Sequence, residues 1–201
     1  MNDSATQQIN ERLGEVVEAS TTSFTTQCYR LYEAPPLGSL VRSGNEFPIY
    51  GIVHEVFTRS MDPSRRPIPR GMGEDNEESV YLNNPQLNRL LSTEFLSIVV
   101  GYKDNGSLRR QPASQPSRIH SFVYQCGMEE VQSFSSFLDF MPILLSAPIS
   151  APDDVIASFL RLASQSHPDP ESFLIKAGRD LAGNLSGDVR RLNNVLRRLF
   201  T

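Results

Sequence analysis

Apolar and polar positions alternate with the two-residue repeat of strands over the first part of this chain and with the helical repeat over the last. "LGEVVE" at 13–18 and "SFTTQCYRLY" at 23–32 carry that alternation or β-forming residues, and further strands are predicted at 38–42 and 49–58. In "GSLVRSGNEFPIYGIVHEV", Leu40, Ile49, Ile52, Val53 and Val56 gather around small and polar residues, with Gly38, Gly44 and Gly51 allowing turns or close backbone approach. The polar run before residue 12 predicts a loose terminus.

The character changes at "TRSMDPSRRPIPRGMGEDNEES", 58–79, where prolines, glycines, a basic run and an acidic run follow one another. Such a stretch predicts an exposed insertion, because charges set against apolar core need partners. "NNPQLNRLLS" predicts a short helix capped by Asn84, with Pro85 at its first position and Leu87, Leu90 and Leu91 on one side. "EFLSIVVGYK" returns to strand, Asn105 and Gly106 make a turn, a polar, proline-containing stretch runs to Pro116, and "RIHSFVYQC" at 118–126 completes the strands. Six closely spaced strands without long intervening helices predict a small closed or nearly closed barrel over a parallel sheet.

The last third reads as helix. Val155, Ile156, Phe159, Leu160 and Ala163 share helical spacing, and Ser150 with Asp153 resembles a capping box. Asp169 and Pro170 begin a second helix with the stripe Phe173, Leu174, Ala177, Leu181 and Leu185. A third, near 188–200, aligns Val189, Leu192, Val195, Leu196 and Leu199. These three form a compact tail or leave a stripe open for a partner.

At 201 residues the chain can bury a sizeable core without a metal or disulfide. Cys28 and Cys126 lie far apart in no paired motif, which points to reduced thiols and a cytoplasmic protein. The longest apolar runs, "FLSIVVGY" and "FLDFMPILLSAPI", are too short to span a bilayer and read as core. A net charge of -4 gives no global attraction to nucleic acid or acidic lipid. Lys103 and Lys176 are the only lysines, so seventeen arginines carry nearly all the positive charge, and arginine favours bidentate and stacked contacts.

"LGEVVEASTTSF", "GSLVRSG", "IYGIVHEV" and "SIVVGY", in that order, resemble the HAS-barrel family, the small barrel at the front of HerA-type DNA translocases and of F-type ATP synthase subunits. Gly14, Val16 and Val17 match its opening strand; Gly38, Leu40 and Val41 match "G-x-L-V"; Tyr50, Gly51 and Val53 match "Y-G-x-V"; and Gly101 closes the later strand. The resemblance implies a mainly β plus α fold, a small six-stranded Greek-key-like barrel over 12–125 with an insertion at 58–93, followed by a C-terminal helical region over 126–201. It also implies a role in assembly beside an ATPase core. This chain lacks "G-x-x-x-x-G-K-[ST]", and neither lysine has the glycine framework, so ATP hydrolysis is not expected of it.

His54, His120 and His167 stand singly, without the short spacing to another ligand that marks a metal site, and His54 and Glu55 point to opposite faces of a strand. Neither cysteine has a nearby base. "RGMGEDNEE" surrounds its glycines with carboxylates that would repel a phosphate. No catalytic residue, cofactor or metal is therefore expected. The candidate interaction residues are arginines: Arg59, Arg65, Arg66 and Arg70 in the insertion, Arg109 and Arg110 after the turn, and Arg190, Arg191, Arg197 and Arg198 on the last helix. The last four suit a solvated or internally paired face, a protein partner, or nucleic-acid phosphate. Phe24, Tyr29, Tyr50 and Phe57 could stack bases if exposed.

The reading from sequence is a non-catalytic assembly or adaptor protein using the barrel to bind a protein, a HerA-type ATPase being one such partner. The alternatives are a DNA-associated accessory factor of such a motor, and an enzyme whose site no motif reveals. The insertion is expected to contact the partner without being needed for folding.

Overall fold

The computed structural model describes Arg12–Phe200, so the terminus read as loose lies outside the described residues. The order is β1 (Arg12–Ala19), β2 (Ser23–Cys28), β3 (Leu40–Ser43), β4 (Ile49–Ser60), α1 (Glu77–Asn83), α2 (Leu87–Leu90), β5 (Leu91–Asp104), β6 (Ser107–Arg109) and β7 (Phe122–Gln125). There follow α3 (Met128–Ser135), α4 (Met141–Leu145), α5 (Pro152–Ser164), α6 (Pro170–Asn184) and α7 (Val189–Leu199). The strands form one antiparallel seven-stranded sheet of order β2-β1-β7-β3-β4-β5-β6, with β2 also pairing β5. Among the described residues no helix is long and apolar enough to cross a membrane.

Strand alternation divides the apolar residues between two clusters. Val16, Phe24, Val41, Val53, Phe95, Val99 and Val123 pack together on one face. Their neighbours Leu40, Tyr50, Ile52, Ile98 and Val100 turn to the other and join residues from α3 to α7 in a single core. A row of rings links the layers: Tyr50 meets Phe134 at 5.1 Å, Phe134 meets Phe140 at 5.1 Å, and Phe140 meets Phe159 edge-on at 5.4 Å. Such pairs contribute about 0.5–1.5 kcal/mol each beyond their burial. Two glycines are required by this packing. A Cβ on Gly51 would lie 2.7 Å from the Phe24 ring. Gly38, at φ +83°, would put one 2.5 Å from the backbone nitrogen of Phe159.

These facts correct the expected fold class. The protein is a mixed α and β fold, with a seven-stranded sheet and a helical layer on it. The expected small six-stranded Greek-key-like barrel with a helical tail is replaced by a seven-stranded sheet, in which β2 pairs both β1 and β5, with the helices packed on it as a layer. A sheet apolar on both faces must cover each of them, which makes the helices a structural layer. The uncounted strand is β6, which folds back on β5 through Asn105 (φ +47°) and Gly106 (φ +80°), the left-handed pair that a two-residue hairpin demands.

Local readings fared unevenly. Asp169 caps α6 by accepting the Ser172 N–H at 3.0 Å, and Phe173, Ala177, Leu181 and Leu185 are buried as their spacing predicts. The Ser150–Asp153 capping box is absent, since α5 starts at Pro152 behind Ala151 with no side-chain cap. Asn84 caps no helix start: it is the C-cap of α1, a helix the reading missed, and α2 is one turn before Leu91 opens β5.

Candidate functional site

β4 and β5 carry the insertion outward as an arm. Their ladder continues through Thr58↔Thr93 and Arg59↔Ser92 to Ser60↔Leu91, and the Met61 N–H donates to the Leu90 carbonyl at 2.9 Å. Strand therefore extends into both ends of the stretch read as an insertion from 58 to 93. Beyond it, polar contacts shape the arm. Asn76 Oδ1 accepts the Ser79 N–H at 2.9 Å and caps α1, where Glu77 and Glu78 complement the helix dipole. At the far end Arg70 donates to Asn84 Oδ1 at 3.1 Å, and Asn83 donates to Glu74 at 2.7 Å. One clip to the body joins the Tyr81 and Tyr32 hydroxyls, with the rings edge-on at 6.0 Å. Tyr32, held at φ +67°, donates its N–H to Thr93 Oγ1 at 2.8 Å.

Neither α1 nor α2 buries a residue. The arm instead leaves Ile68, Met72 and Leu82 at 68%, 102% and 73% exposure. Apolar side chains so uncovered gain nothing from the chain's own core.

The candidate arginines fall into two groups. Those away from the arm mostly serve the fold. Arg110 donates to the Phe134 and Ser133 carbonyls, both at 2.8 Å, closing the C-terminus of α3, and its burial lowers its pKa. Arg191 joins Asp153 at 2.8 Å and the Leu145 carbonyl at 3.0 Å, tying α7 to the α5 N-terminus and the α4 C-terminus. Arg198 meets Asp154 at 2.6 Å. Arg109 and Arg190 are exposed, and Arg197 is engaged within the chain. On the arm and its root, Arg59 reaches the buried Glu94 at 2.7 Å and lies over Phe57 at 4.7 Å. Arg65 meets Asp62 at 3.2 Å, whereas Arg66 and Arg70 stay on the surface. Phe24 and Tyr50, offered for base stacking, are each 2% exposed and belong to the core.

Two side-chain groups are catalytic in outline. Ser135 Oγ lies 2.8 Å from His167 Nε2 but donates its proton to the Val131 carbonyl at 2.7 Å, so Nε2–H is the donor to Ser135 and cannot serve as its base. His167 stacks on Phe173 at 4.1 Å, and burial, with Lys176 adding to it, lowers its pKa. On the surface, Glu15 accepts from the Tyr29 hydroxyl at 2.8 Å and contacts His120 Nδ1 at 2.8 Å. The Tyr29 bond, then the His120 bond, lower the Glu15 pKa, while Tyr29 rises to about 12 through desolvation and its bond to Glu15. No Ser or Cys hydroxyl or thiol joins that group in these contacts. Cys28 and Cys126 are buried and unpaired; burial raises Cys28 to about 11 and pushes Cys126 well up, so neither is an activated thiolate.

Among the described residues no group of three or more His, Cys, Asp or Glu side chains converges as a metal site would require. Two clefts among the described residues bear on this. One, about 600 Å³, runs between the β3–β4 turn and residues 113–118, over the bonded hydroxyls of Ser43 and Ser117. The other, about 650 Å³, lies between Ser39, Gly127 and Ala163. None of the ten candidate arginines lines either, so they do not converge on a pocket.

No protein-family model matches this chain, and no curated protein sequence matches it. The HAS-barrel resemblance is thereby corrected: elements as short as "G-x-V-V" and "Y-G-x-V" do not by themselves define a family. The roles drawn from that barrel fall with it.

Sequence reasoning located the arm but missed what makes it distinctive. Asn76 followed by Glu77 and Glu78 is a legible helix start, and it would have placed α1. Exposure of Met72 and Leu82 had no local signal.

Proposed function

We propose that the chain is a non-catalytic protein-recognition module whose binding element is the arm, residues 61–90. The observation that carries this is that α1 and α2 bury no side chain while Ile68, Met72 and Leu82 stand exposed. Isolated short helices are marginal in water, so a pair of them held out by a hairpin and a few polar clips suits an element completed by a partner. The partner's chemistry follows from the arm's charges: Arg65, Arg66 and Arg70 precede Glu74, Asp75, Glu77 and Glu78, so it presents carboxylates and then cations around an apolar centre.

The test replaces residues 62–89 by Asn-Gly, joining Met61 to Leu90 where the backbone already pairs. The thermal midpoint moves by less than about 4 °C, roughly 1 kcal/mol for a chain this size. A protein captured by the full chain and released by salt is no longer captured. Undiminished capture by the shortened chain overturns the proposal.

A further inference from the structure

We propose that the cleft between the β3–β4 turn and residues 113–118 binds a free α-amino acid with an apolar side chain. At about 600 Å³ it has the size of a small-molecule site, a class that runs from about 300 to about 1,000 Å³. It opens at one end of the apolar cluster around Val41 and Val99, whose members Ile49 and Ala113 line it with Tyr102. Ser43 stands two residues after Val41 on β3 and so faces the same side. Hydroxyl accounting asks for an acceptor there. Ser43 and Ser117 are 1% and 7% exposed, and their hydroxyls bond each other. Two hydroxyls hold two hydrogens, and one bond between them uses one. The other hydrogen meets no acceptor among the described residues, at a depth where an unused donor is costly.

Charge makes that acceptor one end of a zwitterion. Glu46, Asp104 and Arg118 line the cleft and are exposed, and among the described residues no ion pair joins any of them. Alternation on β5 puts Asp104 on the side of Tyr102, whereas Lys103 turns to the other side, opposite Leu108. The Lys103 N–H donates to the Pro48 carbonyl at 2.9 Å, which holds the end of β5 against the turn that carries Glu46. The acids therefore come from that turn and the end of β5, while Arg118 follows Ser117 on the opposite wall. A carboxylate matches Arg118 and the spare hydroxyl hydrogen, and an ammonium matches Asp104 and Glu46. A ligand with one charge alone leaves the other sign unmatched. Phe47, 70% exposed on the same turn, gains cover from the ligand's apolar side chain.

Isothermal titration of the full chain tests this, with L-leucine and L-phenylalanine as probes. At least one binds with a Kd of about 100 µM or below. 4-Methylpentanoate and 3-methylbutylamine each keep leucine's branched body with a single charge, and bind at least about tenfold more weakly than leucine. Asp104→Asn lowers leucine affinity about tenfold or more and leaves that of 4-methylpentanoate unchanged, because the carboxylate end is untouched. Arg118→Gln lowers leucine affinity by a similar factor and leaves that of 3-methylbutylamine unchanged. The retained analogue in each case shows that the variant folds. No heat from either amino acid at about 10 mM overturns the proposal, as do single-charge analogues that match leucine or variants that bind leucine as before. The cleft shares no residue with the arm, so the chain with 62–89 replaced binds leucine as the full chain does, and the two sites are tested separately.

Discussion

Helices α1 and α5 both open with paired carboxylates, Glu77 with Glu78 and Asp153 with Asp154, yet they meet opposite fates. α5 buries Val155, Ile156, Ala157, Phe159, Leu160, Ala163 and Ser164 against the sheet and the other helices, while α1 buries nothing. Even the carboxylates differ in use. Asp153 and Asp154 hold Arg191 and Arg198 of α7, whereas Glu77 and Glu78 face solvent. Acidic residues in a first turn thus announce a helix start, and only the surroundings decide whether the helix is packed into the core.

The comparison breaks most visibly at Phe159. Phe159→Ala removes the ring that meets Phe140 and leaves a cavity in the shared core, so urea unfolding should show a loss of about 3–5 kcal/mol. The α5 contact with the sheet can be broken from the other side. Gly38→Ala places a methyl group against the Phe159 backbone at a φ that L-residues rarely adopt, and denaturation should register about 1–3 kcal/mol for the conformation alone, with the collision added to it.

A smaller effect comes from pH. Burial lowers the pKa of His54 and His167 below the ordinary 6.5, so the folded state holds both neutral more firmly than the unfolded chain does. Their contribution is complete above the unfolded value and is lost as pH falls through the folded values. The urea midpoint should therefore drop between about pH 7.5 and about pH 5.5, and His54→Gln with His167→Gln should flatten that slope; an unchanged slope in the double variant refutes the assignment. The smallest effect belongs to the arm. Leu82→Ser, which in the core would cost several times more, should change stability by no more than about 0.5 kcal/mol, while weakening capture of the arm's partner.

What the sequence by itself determined is local. The strands around Val16, Leu40, Ile52 and Val99 were legible, because alternation and β-branched residues act over a few neighbours. So were α5, α6 and α7, the Asp169 cap and the Asn105–Gly106 turn, each set by residues within a turn or two. The tertiary structure alone decided the rest. It placed β2 against both β1 and β5, made a strand of 107–109 by pairing it with β5, and turned the helical third from a tail into a layer. It also sorted the arginines, committing Arg110 to α3 and Arg191 to Asp153, partners 23 and 38 residues away. Periodicity reports which side of an element is apolar. Which surface meets that side depends on chain segments far apart in sequence, and on the free energy of packing them together.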